Sequence, residues 1–241
     1  MGKLMDAVKK KDVNTVKQLV ADGQDPNKSL KLYGEKTNPY KYAVMCSVWG
    51  GVVSNELLEI VEFLTPHMTG YYFENIEGYE FNGHIFYDSY FGEVMILAKS
   101  IGASDVVIEA MMKGGYPFNK DPNLGRHIGK VSFSLAKKIF EKFGTDDGSA
   151  VCSAVEFGNF ELVEYLLDKG VSPNQPIYSS NGAQTIALVS AVMNGNIDIV
   201  KRLISAGADP EVQDTGYNKN ALEMAKEINN QEIIDFLKSI K

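Results

Sequence analysis

The chain is poor in the residues that usually carry chemistry. Among its 241 residues there are two cysteines, three histidines and one tryptophan. Cys46 and Cys152 cannot build a disulfide framework, so a hydrophobic core must hold the scaffold, and two buried thiols in a reducing compartment are expected. His67, His84 and His127 stand far apart, and none has a second His or a Cys at ligand spacing, so no metal is expected. No apolar run approaches the roughly 18 residues of a membrane span. The start carries Lys3, Asp6, Lys9, Lys10, Lys11 and Asp12 instead of an apolar leader, so a cytoplasmic chain without membrane contact is expected. Positive charge is also short. Lys and Arg number 24 against 31 Asp and Glu, a net charge of −7, which disfavours general affinity for nucleic acid. A Gly-x-Ser-x-Gly elbow and a Walker loop are both missing. Gly125-Arg126-His127-Ile128-Gly129 has glycines but no strand-then-helix setting for a phosphate. Neither an enzyme nor a cofactor is expected.

What the chain does have is a repeat. Four segments end in Gly-x-x-Pro, beginning at Gly23, Gly114, Gly170 and Gly207. Seven residues before each Gly stands Val16, Val107, Val163 or Val200, and nine before each Val stands Ala7, Ala98, Ala154 or Ala191. Two further copies complete the series: Ala225 precedes Ile234 by nine residues, and Ala43 precedes Val61 by eighteen.

The segment ending in Gly is a predicted helix. Leu162, Val163, Leu166 and Leu167 make one apolar stripe, and Ile199, Val200, Leu203 and Ile204 repeat it. Gly after such a helix supplies a left-handed cap, and the nearby Pro stops propagation. The segment before it is a shorter helix around the alanine, whose small side chain lets two helices approach closely. Gly158-Asn159 and Gly195-Asn196 make the turn between them. Thr15 and Lys238 replace stripe residues in the first and last copies, as suits units with one neighbour each.

This unit resembles the ankyrin repeat. Residues Asn196 to Pro210 are similar to that family's second helix and its Gly-Ala-Asp turn, and Asn38-Pro39-Tyr40-Lys41-Tyr42-Ala43 is similar to its Thr-Pro-Leu-His-x-Ala opening. No copy keeps the His, and only 38–43 keeps the Pro. The resemblance implies an all-α, ankyrin-like α-solenoid. Six helix–turn–helix repeats are expected over 1–27, 37–68, 93–118, 149–174, 185–211 and 216–241, in one domain spanning 1–241, with inserted hairpin or helical loops over 69–92 and 119–148.

Insertions in solenoids map to loops, often on the binding face. Residues 71–91 hold nine of the 25 aromatics together with Glu74, Glu77, Glu80 and Asp88, and no Lys or Arg. Asn82-Gly83 between Phe81 and Ile85 predicts a hairpin turn. The rings have two readings, a local core under the loop or a contact with a partner. In the second insertion, Ile128, Val131, Leu135, Ile139 and Phe143 follow helical spacing and predict one extra amphipathic helix. From Lys113 to Lys142 there are seven cations against Asp121 and Glu141, a solvated face or a patch that steers an acidic partner. Trp49 adjoins the nine-residue excess of the second copy and is expected to pack between repeats or face a partner.

The resemblance implies a non-catalytic, monomeric module that binds another protein through its finger loops and concave face. It would act as a scaffold or adaptor, or alternatively as a dedicated inhibitor or toxin-immunity protein that blocks one enzyme. The register nominates Tyr33, Tyr40, Trp49, Tyr79, Phe81, His84, Tyr87, Phe157, Tyr178, Met193, Asn194 and Tyr217 as partner-binding residues.

Overall fold

A computed structural model describes residues 2–28, 30–32, 35–48, 54–68, 79–81, 84–86, 101–121, 124–144, 149–178 and 182–240. Tyr33, Trp49, Tyr87 and Ala98 lie outside these residues, as does most of the 71–91 segment.

The fold is all-α, built from helix pairs with short hairpins between them, and it divides into two compact units. The first holds α1 (Lys3–Lys9), α2 (Val13–Ala21), the hairpin β1 (Leu30–Leu32) and β2 (Glu35–Thr37), α3 (Pro39–Val48), α4 (Asn55–Leu64) and α5 (Ile101–Lys113). Here α1 packs on α2 and α3 on α4, while α1 stacks on α3 and α2 on α4, with α5 against α3 and α4. The second unit holds the hairpin β3 (Tyr79–Phe81) and β4 (His84–Phe86), α6 (Leu124–His127), α7 (Phe133–Phe143), α8 (Ser149–Glu156), α9 (Phe160–Asp168), β5 (Ile177–Tyr178), β6 (Gln184–Thr185), α10 (Ala187–Met193), α11 (Ile197–Ser205), α12 (Ala221–Glu227) and α13 (Gln231–Ser239). First helices stack as α6–α8–α10–α12 and second helices as α7–α9–α11–α13.

The sequence explains how most second helices start and stop. Asp12, Ser54, Ser132, Asn159, Asn196 and Asn230 each accept a hydrogen bond from the backbone N–H three residues on, capping the second helix of their pair. Gly23, Gly170 and Gly207 end second helices at φ of 84°, 78° and 89°, the left-handed cap expected. In the third copy the turn falls on Gly115, at φ 88°. Gly114 serves a different need there, since a Cβ on it would lie 2.6 Å from the Glu62 carbonyl oxygen. The anchors Ala7, Ala43, Ala154, Ala191 and Ala225 are all buried.

Segment 119–148 departs from expectation. Its helix begins at Phe133, and Ile128–Lys130 form a separate 3₁₀ turn. With α6 the segment makes a helix pair, whose α6 stacks on α8 and α7 on α9. His127 occupies the alanine-anchor register, five residues before the Ser132 cap, as Ala154 precedes Asn159 and Ala191 precedes Asn196. A continuous helix over 128–143 is prevented because Val131 is extended at ψ 163°.

Candidate functional site

Within each unit, first and second helices form separate faces, and in the second unit these differ in what they leave exposed. On the second-helix side several charged and polar groups pair across neighbouring helices. Lys17 Nζ lies 2.7 Å from Glu59 Oε1, linking α2 to α4 in the first unit. In the second unit Arg202 reaches from α11 to Glu164 at 2.8 Å and Asp168 at 2.6 Å on α9. Tyr165 on α9 donates its hydroxyl to Glu141 on α7 at 3.3 Å. These exposed pairs contribute little stability individually, but they leave this face polar. A groove of about 870 Å³ on this side of the first unit is lined by Lys17, Glu59, Glu62, Phe63, His67 and Lys113, among others, with charges of both signs.

The first-helix side of the second unit is different. Phe157 follows α8 and is 39% exposed, Met193 ends α10 at 40%, and Ile228 follows α12 at 39%. These positions are equivalent or adjacent in the repeat: Lys130, Phe157, Asn194 and Ile228 each stand three residues beyond the anchor position. Helix stacking therefore sets them side by side. Lys130 Nζ lies 4.7 Å from the Phe157 ring centroid, and Asn194 donates Nδ2–H to the Val155 carbonyl at 3.2 Å. Tyr217, 46% exposed, sits in the loop where Asp214 bridges to Lys219.

The electrostatics at the α6 end are dominated by burial. His127 is held neutral, its pKa lowered to about 3 by desolvation, with Lys130 and Arg126 adding to the effect. Desolvation also lowers the pKa of Lys130, against the pull of Glu156, and raises that of Glu156. Burial pushes the Cys152 thiol up to about 12, and its Sγ donates to the Thr185 carbonyl at 3.2 Å. A thiol so poorly ionised is a core residue and no nucleophile. Both cysteines are free, with Cys46 half-buried. Among the described residues no three His, Cys, Asp or Glu side chains are grouped to hold a metal. No described helix is long and apolar enough to cross a membrane.

Phe157, Met193, Asn194 and Tyr217 thus lie at the surface, and Tyr178 on β5 is half-buried. Tyr40 does not project. It is fully buried in α3, its hydroxyl 3.1 Å from Thr65 Oγ1. The reason is register, because three residues before an anchor the chain elsewhere places buried Leu4, Val151 and Leu188. Tyr42 is half-buried, with Lys9 Nζ 5.8 Å from its ring. Tyr79 and Phe81 lie on β3 and His84 on β4, paired Tyr79 with Phe86 and Phe81 with His84, so Asn82-Gly83 connect the strands.

Sequence reasoning missed Asp214. Fully buried, it accepts hydrogen bonds from the backbone N–H groups of Ile186 at 3.0 Å, Gly216 at 2.9 Å and Tyr217 at 3.1 Å. It ties its own loop to the start of the preceding helix pair at Ile186, and Asn174 links one loop to the next by donating to the Gly207 carbonyl at 2.8 Å and accepting from Asp209 N–H at 2.9 Å. Asp-x-Gly at 214–216 was the available signal.

A family profile of ankyrin repeats, in 3 copies, matches residues 94–214 and 152–240. Among solved structures the chain is similar to the ankyrin repeat domain of Bcl-3, a member of the IkappaB protein family, with 19% identity and a TM-score of 0.59 over 99% of this chain and 98% of that one. It is also similar to the human ASB11 ankyrin repeat domain, with 13% identity and a TM-score of 0.52 over 93% and 92%. At these identities the structures establish the fold alone. No curated protein matches in sequence.

Proposed function

The chain belongs to the ankyrin repeat family, and on that premise we propose that it binds one protein partner through the first-helix face and loops of its second unit. Ankyrin repeats are generally non-catalytic protein–protein interaction modules. What supports the reading for these residues is a contrast: on the second-helix side Arg202 is paired with Glu164 and Asp168, whereas Phe157 and Met193 stay exposed at the ends of first helices and Tyr217 in a hairpin loop. Exposed apolar side chains held in register by a rigid scaffold suit a recognition surface. Tyr178 and Asn194 complete the proposed contact set. The protein acts in this reading as a monomeric scaffold or adaptor in the cytoplasm.

A second reading makes it a dedicated inhibitor or immunity protein, favoured by the acidic, aromatic 71–91 segment and the β3–β4 pairing within it. In that case the finger plugs the partner's cleft, and shortening 79–87 to a Gly-Ser turn abolishes binding while the repeats still fold.

The test is affinity capture with the full chain, comparing wild type with Phe157→Ser plus Met193→Ser by quantitative mass spectrometry. Proteins captured by wild type should be lost with the double variant, whose melting temperature should barely move because both side chains are already solvent-accessible. An identical capture profile for the two proteins would remove this face from the binding site.

A further inference from the structure

The row Lys130, Phe157, Asn194, Ile228 is not uniformly apolar. It begins at a cation, and the charges around that cation do not balance. Arg126 and Lys130 are both half-buried, and among the described residues the carboxylate that sets against them is Glu156, which itself lies in the field of buried Asp214. His127 between them is neutral and offsets nothing. The next carboxylate along the row, Glu227, is already engaged by Lys219 at 2.8 Å. Half-buried positive charge in excess is costly, and an incoming anion relieves it. Beside the cation stand the exposed Phe157 ring, over which Lys130 lies, and the exposed Met193 side chain.

We propose that this row is a docking track for an extended, acidic-then-apolar segment of a partner protein, with its carboxylate at Lys130 and Arg126 and its apolar side chains against Phe157–Met193 and Ile228. The inference rests on the binding reading above and adds the partner's chemistry to it. Spacing constrains the segment further. Packed helix axes lie about 8–10 Å apart, and an extended chain advances about 3.3 Å per residue. Each helix pair therefore matches about three partner residues. The first apolar side chain falls about three residues from the acidic one, and the second about nine, past Asn194.

The test uses three labelled 12-residue peptides titrated into the full chain. One carries Asp with Leu three and nine residues on, in a Ser/Gln background. The second has Lys for the Asp, and the third has Ser for both Leu residues. The acidic peptide should bind about ten-fold more tightly than the Lys peptide at low salt, with the gap narrowing as salt rises. Lys130→Gln should erase that preference and Lys130→Arg retain it, both with unchanged circular dichroism. The Ser peptide should bind weakest. Equal affinity for the Asp and Lys peptides, a preference that survives Lys130→Gln, or no binding by any peptide would each overturn the proposal. The capture experiment separates the two levels: if Phe157→Ser plus Met193→Ser still abolishes capture while the peptides show no acidic preference, the face binds but the partner chemistry is wrong. If capture is also insensitive, both readings fall.

Discussion

From α8 to α13, each helix pair buries an alanine (Ala154, Ala191, Ala225) where its first helix meets its neighbours, and turns on a residue in the left-handed region. The adjoining pair, α6 and α7, has His127 in place of that alanine and a 3₁₀ turn in place of the left-handed residue. It still stacks on α8 and α9. Its close approach is made two residues later, at Gly129, whose N–H donates to Ser153 Oγ at 3.0 Å and whose missing side chain leaves room for the Ser153 backbone. A repeat architecture thus depends on a close backbone approach somewhere in each pair and not on a fixed residue at a fixed place. Once the small residue has moved, the anchor position is open to a larger, titratable group.

The comparison is broken most severely at a regular anchor. Ala191 is fully buried among its neighbours with no access to water, so Ala191→Asp buries a carboxylate without a partner. About 4 kcal/mol should be lost. Stability in stacked repeats comes from nearest-neighbour interfaces, so hydrogen exchange should rise first in α10–α13. Uniform loss of protection along the chain would contradict modular stacking.

The irregular pair should be nearly as sensitive, at its own place. A Cβ on Gly129 would lie 2.3 Å from the Ser153 carbonyl oxygen and 2.8 Å from the Ala154 nitrogen, both backbone atoms in a helix that cannot yield cheaply. Gly129→Ala should therefore cost about 3 kcal/mol by denaturant unfolding. A cost below about 0.5 kcal/mol, the range of an ordinary surface change, would mean that the pair is not held by this contact.

His127 turns the difference into a pH dependence. Its folded pKa, about 3, lies below the ordinary histidine value of about 6.5. The unfolded chain therefore takes up a proton first, so no stability is lost above about pH 6.5 and stability falls as pH drops from there toward 3. At pH 5 the loss should be about 2 kcal/mol relative to pH 7.5. His127→Gln should remove that component from the pH profile of unfolding. Regular pairs, with alanine at the anchor, have no such group.

How far the sequence foretold this molecule depends on how strictly each part keeps the period. Val16, Val163 and Val200, all fully buried, follow from spacing alone, as do the glycine caps. Tyr40 was legible in principle, since its register places it with Leu4 and Val151, but an aromatic hydroxyl invites a surface reading unless its buried partner Thr65 is known. The α6–α7 pair was hidden because its anchor is not alanine and its second helix ends at Gly144 with no proline following. The exposed row was half legible: Phe157, Met193 and Asn194 come from register, whereas Lys130 enters it only once the extra pair is recognised.

The smallest effect concerns the turn inside each pair, four residues past the anchor. Gly158 and Gly195 occupy it at φ of 69° and 66°, but the first and last pairs place Lys11 at 58° and Asn229 at 56° there. A left-handed conformation brings Cβ close to the following carbonyl, at a cost of about 1 kcal/mol for a residue such as Lys and less for Asn, whose short polar side chain can bond locally. Lys11→Gly should relieve that strain, partly offset by the greater freedom of glycine in the unfolded chain, for a net gain of about 0.5 kcal/mol. Asn229→Gly should gain less, and Gly158→Ala should lose about 1 kcal/mol. Chemical unfolding of the three variants at one pH resolves the order. If Lys11→Gly destabilised the chain, the strain at this turn would have to be compensated by the capping bond from Thr15 to Asp12 next to it, a contact the terminal pair shares with the capped pairs of the interior.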